Sequence, residues 1–223
     1  MPHGVLALDG GAMDAALAGG LALGALHEIE GAGIEAETAT APASFLATLL
    51  ARLPGNVFWI ARVCDLYPPG LITLGLDPTR LIQLHVASDD EALGVMERLL
   101  RAGVAAAVVA EIGRVGALAG RRLQMACMGS GCTGFVLRRF PHGRREAAPL
   151  VAAVTRWRLG PAPSLRQRHA PGVPRWRAEL LHSRIGPACN WIVEQEDRPD
   201  APYPLRLAAG LADPALAARR LAG

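Results

Sequence analysis

Compact apolar runs alternate with helical repeats along the first 140 residues of the chain. Ala25–Glu30, Asn56–Ala61, Leu81–Val86, Val104–Ala110 and Thr133–Arg138 read as strands, most of them apolar enough to be buried on both faces. Between them, Phe45, Leu46, Leu49, Leu50 and Leu53 recur at helical spacing. They predict a helix over Pro42–Leu53, with Pro42 in the first turn, where its missing N–H costs nothing. Pro54-Gly55 ends it. Ser88, followed three residues later by Glu91, predicts a capped helix through Arg101, stopped by Gly103. A further helix is expected over 117–128, closed by Gly129-Ser130-Gly131. Residues 1–20 read as an irregular lead-in with a short helix at 12–18, and Pro68-Pro69-Gly70 as a loop.

This alternation of buried strands and helices specifies an α/β fold with a mainly parallel central sheet flanked by helices. The pattern changes after residue 150. The segments 151–159, 174–182 and 190–195 are short alternating strands joined by Pro/Gly turns, expected to extend the sheet as antiparallel strands. A single domain over 1–198 and a Pro- and Ala-rich tail over 199–223, with a short helix at 214–221, follow from this reading.

Composition narrows the functional classes. Hydrophobic residues make up 51% of the 223 residues and charged residues 19%, the balance of a folded chain with a sizeable core. No apolar stretch reaches the ~18 residues of a membrane span, and no export signal is expected from Met1-Pro2-His3-Gly4. Cys64, Cys127, Cys132 and Cys189 form no CxxC pair and read as reduced thiols, so a cytoplasmic protein is expected. Cys127 and Cys132 have no second pair for zinc. The six histidines form no metal or triad spacing, His27 reading as a packed strand residue, and Ser130 is not a nucleophile elbow. No catalytic residue, metal or cofactor is expected.

Charge changes the picture further. All 23 basic residues are arginine, so every mechanism that needs a lysine is excluded. Residues 1–111 carry 5 Arg against 13 Asp and Glu; residues 112–223 carry 18 Arg against 7. Within 114–184 only Glu146 and Glu179 oppose 14 arginines. This asymmetry suits an anionic partner, nucleic acid or an acidic protein surface, or mutual neutralisation of the two halves.

The segment 13–31 has the outline of a RecA-type recombinase core: Met13-Asp14, Gly19-Gly20, Gly24, then a strand ending Glu28-Ile29-Glu30-Gly31. A phosphate-binding loop of the form G-x-x-x-x-G-K-[ST] should follow, its lysine reaching the outer phosphates. The chain instead reads Gly31-Ala32-Gly33-Ile34-Glu35-Ala36-Glu37-Thr38. Glu35 and Glu37 place negative charge where a triphosphate would lie and would repel it. Glu111 ends the strand where such a core carries its Mg²⁺-linked Asp, and Ala61-Arg62 stand where a water-activating Glu belongs. The nucleotide site therefore reads as degenerate.

A longer series of motifs carries a family resemblance over about residues 10–200. It runs Gly24-Ala25-Leu26-His27-Glu28-Ile29, Phe58-Trp59-Ile60, Leu66-Tyr67-Pro68-Pro69-Gly70-Leu71, Gly75-Leu76-Asp77-Pro78, Arg80-Leu81-Ile82, Arg121-Arg122-Leu123-Gln124 and Thr155-Arg156-Trp157-Arg158. In this order the series resembles the ImuA family of RecA-like accessory proteins. The resemblance implies a RecA-like fold and a non-catalytic role in damage-induced, error-prone translesion DNA synthesis. It also implies two partners: an ImuB-type Y-family polymerase-like protein and an error-prone DnaE-type polymerase.

Two arginine constellations are candidates for DNA or partner contact. Arg138, Arg139, Arg144 and Arg145 flank Phe140 after the strand 133–138, where a recombinase core has a DNA-binding loop; arginine with an aromatic suits a single strand. Arg156-Trp157-Arg158 and Arg175-Trp176-Arg177 repeat one pattern. In strands, each Trp points to one face and its flanking arginines to the other. Such a face suits a partner or nucleic acid, or is two core tryptophans with snorkelling arginines. Arg121-Arg122 read as surface residues of their helix. Two alternatives to the scaffold role stay open: a weak nucleotide-dependent ATPase, and a protein-only regulator such as a cell-division inhibitor.

Overall fold

The computed structural model describes residues 3–34, 39–63, 65–140, 151–164, 172–196, 198, 201 and 204–208. A short antiparallel pair, β1 (Val5–Leu6) and β2 (Leu21–Ala22), brackets α1 (Ala12–Ala16) in the lead-in. Asp14 organises this segment. Its buried carboxylate accepts from the Leu8 and Gly10 N–H groups, each at 2.7 Å, donors that no helix or strand satisfies. Gly20 has φ +139, and a Cβ there would lie 2.4 Å from the Leu6 carbonyl oxygen, so only glycine closes this pair.

Among the described residues, nine strands then build one sheet: β3 (Leu26–Gly31), β4 (Val57–Ala61), β5 (Leu81–His85), β6 (Ala107–Glu111), β7 (Thr133–Leu137), β8 (Thr155–Pro161), β9 (Arg175–Ser183), β10 (Cys189–Gln195) and β11 (Leu205–Leu207). Their order is β11-β10-β9-β8-β3-β7-β6-β4-β5. All pairings from β8 through β5 are parallel; those from β8 outward to β11 are antiparallel. The α/β reading with a mainly parallel sheet is thus what the chain forms. One detail differs. The first of the three late strands, β8, joins β3 in parallel, and only β9 begins the antiparallel extension. The reason lies in β8 itself: its residues from Trp157 to Gly160 include Trp157 and Leu159 buried on one face beside Ile29, so it behaves as an interior strand.

Helices α2 (Thr40–Leu50), α4 (Asp89–Ala102) and α5 (Ala117–Ser130) cover the sheet; α3 (Pro68–Ile72) and a 3₁₀ turn (Pro78–Arg80) lie in the connection from β4 to β5. The expected loop at Pro68-Pro69-Gly70 is therefore one helical turn, since two prolines at its start fix φ and give up N–H groups the turn does not use. α4 has the predicted ends: the Ser88 hydroxyl accepts from the Glu91 N–H, and Gly103 closes it at φ +63. The segment 214–221 lies outside the described residues, and part of the expected tail, Leu205–Leu207, is the edge strand β11.

Two apolar layers result. On one face, α2 packs Phe45, Leu46 and Leu49 with Trp59, Phe135, Trp157 and Trp176. On the other, Met96 and Leu100 of α4 and Leu123 and Cys127 of α5 meet Leu26, Ile60, Val108 and Val136. Burial pushes the Cys127 thiol up to about 12 and that of Cys132 to about 11, which leaves both protonated and unreactive at neutral pH.

Candidate functional site

In open parallel sheets, ligands bind beyond the carboxyl ends of the strands. Here that edge is formed by the ends of β3, β4, β6 and β7. β3 runs out at Gly31, and the Ala32 N–H donates to the Leu159 carbonyl at 2.7 Å, so the chain leaves the sheet pinned to β8. Gly33 follows in the described loop; Glu35 and Glu37 lie outside the described residues. α2 then begins where a phosphate-loop helix would, with no lysine before it.

Glu111, at the end of β6, is buried and engaged. Its Oε1 accepts from the Trp59 indole N–H at 2.8 Å, and its Oε2 lies 3.5 Å from Arg139. Arg139 also donates to Asp65 at 2.7 Å. The carboxylate that sequence spacing assigns to a metal is thus part of a Trp59–Glu111–Arg139–Asp65 network. At the end of β4, Arg62 sits 3.9 Å from Asp89, whose other oxygen accepts from the Gly113 N–H at 2.9 Å. Among the described residues, no cluster of His, Cys, Asp and Glu has the arrangement of a metal site.

The loop arginines divide. Arg138 turns inward: its side chain is 2% exposed and pairs with Glu28, itself 1% exposed, at 2.9 Å. Burial pulls its pKa down, while Glu28 and Glu30 hold the charge in place. Its guanidinium also stands 5.9 Å from the centre of the Phe140 ring. Arg139 is one-fifth exposed and committed to Asp65 and Glu111. The structure thus keeps the first arginine pair in internal ion pairs. Arg144 and Arg145 lie outside the described residues.

The Arg-Trp-Arg repeats lie on β8 and β9, and the predicted alternation is what forms. Trp157 and Trp176 are both buried against α2, where the Phe45 ring meets Trp176 edge-on at 5.7 Å. The Trp176 indole N–H donates to Ser44, and that of Trp157 to Thr155. The arginines occupy the opposite face. Arg158 bonds Glu30 of β3 at 2.8 Å and approaches Glu179 of β9 at 3.6 Å. Arg175 is buried and bonds Glu194 of β10 at 2.6 Å; Glu194 also takes Arg206 at 2.8 Å. Arg177 is half-buried beside them. Arg156 differs: it is half-buried, its Nε is shielded from solvent with no hydrogen-bond partner, and it makes no ion pair among the described residues.

Sequence reasoning missed the acidic half of this face. β3 presents Glu28-Ile29-Glu30 in register with Arg156-Trp157-Arg158, pairing Glu28 with Arg156, Ile29 with Trp157 and Glu30 with Arg158. The signal was present: two triplets of opposite charge, each with an apolar centre, fit adjacent strands. His27 is the packed strand residue that the sequence predicts. The ring is fully buried, its Nε2–H donates to the Ala22 carbonyl at 2.8 Å, and its Nδ1 accepts from Thr155 Oγ1 at 2.7 Å. Burial lowers its pKa to about 4, so the ring is neutral and cannot serve as a base for an external ligand.

Comparison with known proteins agrees with this architecture. No family model matches the chain. Among solved structures, the RadB recombinase superposes with a TM-score of 0.61 at 17% identity, over 87% of this chain and 96% of that one; the likeness is one of fold, which is RecA-like. Protein ImuA of Caulobacter vibrioides, strain NA1000 / CB15N, is 43% identical over 211 residues, 90% of this chain and 86% of that protein. The ImuA of strain ATCC 19089 / CIP 103742 / CB 15 matches to the same extent. With this identity along nearly the whole chain, the protein belongs to the ImuA family.

Proposed function

We propose that this protein is a non-catalytic RecA-like accessory factor of damage-induced, error-prone translesion DNA synthesis in the cytoplasm. It scaffolds a polymerase complex on damaged DNA, together with an ImuB-type Y-family polymerase-like partner and an error-prone DnaE-type polymerase. The observation that carries the non-catalytic reading is the state of the nucleotide edge. The loop before α2 has no lysine, and Glu111 is held by Trp59 and Arg139 inside the fold. A carboxylate so engaged would have to break two interactions before it could help hold a metal–nucleotide complex. The excess of arginine in 114–184 supports an anionic partner, and Arg156 is the described arginine of the β8–β9 face without an acidic partner.

Single-stranded DNA binding, measured by anisotropy across a salt series with and without Mg-ATP, tests this reading. The expected result is binding that falls steeply with salt and ignores Mg-ATP. Saturating Mg-ATP should also leave the melting curve in place. A nucleotide site filled at ~100 Kd would instead add about 2.7 kcal/mol of stability, and that result would favour the ATPase alternative. Absence of DNA binding at low salt would move the basic half to protein docking. Failure to co-purify with the ImuB-type protein would remove the scaffold role.

A further inference from the structure

The outer face of α5 takes no part in the reading above. Its inner residues Leu123, Ala126 and Cys127 are buried under α4 and the sheet. Its outer face leaves Leu118 and Met125 each 72% exposed and Met128 58% exposed. Leu118 and Met125 are seven residues apart, so at about 100° per residue they point within about 20° of each other. Gly129 continues the same line, and a Cβ there would meet nothing within 4 Å. The result is three exposed apolar side chains on a solvent-facing helix, Met125 and Met128 on adjacent turns and Leu118 two turns before Met125, beside a glycine where another backbone can approach closely.

The flanks of these side chains are basic. Arg121 and Arg122 stand on the two sides, both exposed. Arg122 reaches Glu97 of α4 at 2.5 Å, and Arg101 reaches the same carboxylate at 2.7 Å. Two guanidiniums therefore share one carboxylate, Arg121 adds a third positive charge beside them, and the local charge stays positive. An isologous pairing of two copies through this face would bring Arg121 and Arg122 of both together, which disfavours a second copy as the occupant.

We propose that this face docks an acidic amphipathic helix of a partner protein. Leucine-like side chains of that helix would cover Leu118, Met125 and Met128, and its flanking glutamates or aspartates would meet Arg121 and Arg122. Methionine suits this role because its unbranched chain adapts to the apolar ridge it meets. None of these side chains belongs to the β8–β9 face, so the assignment does not rest on DNA contact there.

The test uses the full chain and a fluorescein-labelled synthetic peptide of three heptads, with leucine at the first and fourth positions and glutamate beside them. Two control peptides carry lysine for glutamate, or serine for leucine. Anisotropy should show saturable binding of the acidic peptide, and binding at least about tenfold weaker for either control. Met125→Glu and Arg121→Glu should each weaken the acidic peptide by about tenfold or more. Because both side chains are solvent-facing, the variants should keep the wild-type circular dichroism and melting temperature; Leu118→Ser serves as a second apolar variant. No binding of the acidic peptide at about 100 μM overturns the proposal. So does equal binding of the lysine peptide, or indifference to all three substitutions. Sedimentation showing a dimer that Met125→Glu dissolves would assign the face to a second copy instead.

Discussion

The two faces of β8 and β9 are built from the same tripeptide and do opposite things. Toward α2, Trp157 and Trp176 are buried with Phe45 and Leu159 in a continuous apolar layer. Toward the other side, Arg158 and Arg175 meet Glu30, Glu179 and Glu194 in a charged lattice, with Arg156 and Arg177 half-buried on the same face. Period-two alternation separates stability from charge within one strand. The comparison also shows that charge is not one commodity. Arg175 is locked beneath the surface, Arg158 is shared between two strands, and Arg156 stands without an anion.

The apolar face should dominate stability. Trp157→Ala removes a large, buried side chain from the layer against α2, and is expected to cost about 3–5 kcal/mol. At about 2–4 °C per kcal/mol for a chain of this size, the melting temperature should fall by roughly 10 °C. Urea denaturation measures this directly. A loss below about 1 kcal/mol would mean that the tryptophan face carries little of the fold, and the contrast with the arginine face would disappear.

The buried end of the charged lattice comes next. Glu28 and Arg138 are both almost wholly excluded from solvent, so Glu28→Gln leaves a buried guanidinium without its carboxylate and should cost about 3–5 kcal/mol. The double variant Glu28→Gln/Arg138→Met should recover most of that loss, because the penalty comes from the unpaired charge rather than from loss of the pair. A double-mutant cycle with no coupling would show that the two groups do not stabilise each other.

These pairings mark the boundary of what the sequence discloses. The helix α4 was legible to its ends because Ser88 and Gly103 act on residues three or four positions away. The Trp/Arg alternation was legible because strand periodicity is local. The partners of those arginines were not. Glu28 meets Arg138, and Trp59 meets Glu111, only because the strand order places β3 beside β7 and β4 beside β6. The same holds for Arg138, whose place at the end of the strand 133–138 made it a candidate for DNA or partner contact and which the fold turns inward. β11 escaped notice because three residues carry too little pattern to separate them from a tail.

His27 links the two faces and gives the comparison a pH dependence. It lies on β3 next to Glu28, and through Thr155 it connects to the Trp157 indole. Its folded pKa of about 4 lies below the ordinary value of 6.5. The unfolded chain therefore binds a proton that the folded chain refuses between those values, and stability rises with pH across that window. Its contribution is complete above pH 6.5 and is lost as pH falls toward 4, on the order of 3 kcal/mol in all. Chemical denaturation at pH 7.5, 6 and 5 should show the decline, and His27→Gln should flatten it. A wild-type curve level from pH 7.5 to 5 would contradict a buried neutral ring.

The smallest effect on stability should come from Arg156, and this is where the charged face separates structure from function. Its Nε is shielded and unpaired, so Arg156→Gln removes no ion pair and should change stability by no more than about 0.5 kcal/mol. If the face binds single-stranded DNA, the same substitution should weaken that binding and reduce the salt slope by about 0.7, the counterion release of one phosphate on a single strand. Arg158→Gln should do the reverse in proportion: a measurable loss of stability through Glu30 and Glu179, with less effect on DNA. A slope unchanged by Arg156→Gln would confine this face to structure and leave Arg144 and Arg145 as the remaining candidates for the backbone contact. A slope lowered by both substitutions alike would mean that the lattice opens to release its arginines when DNA arrives.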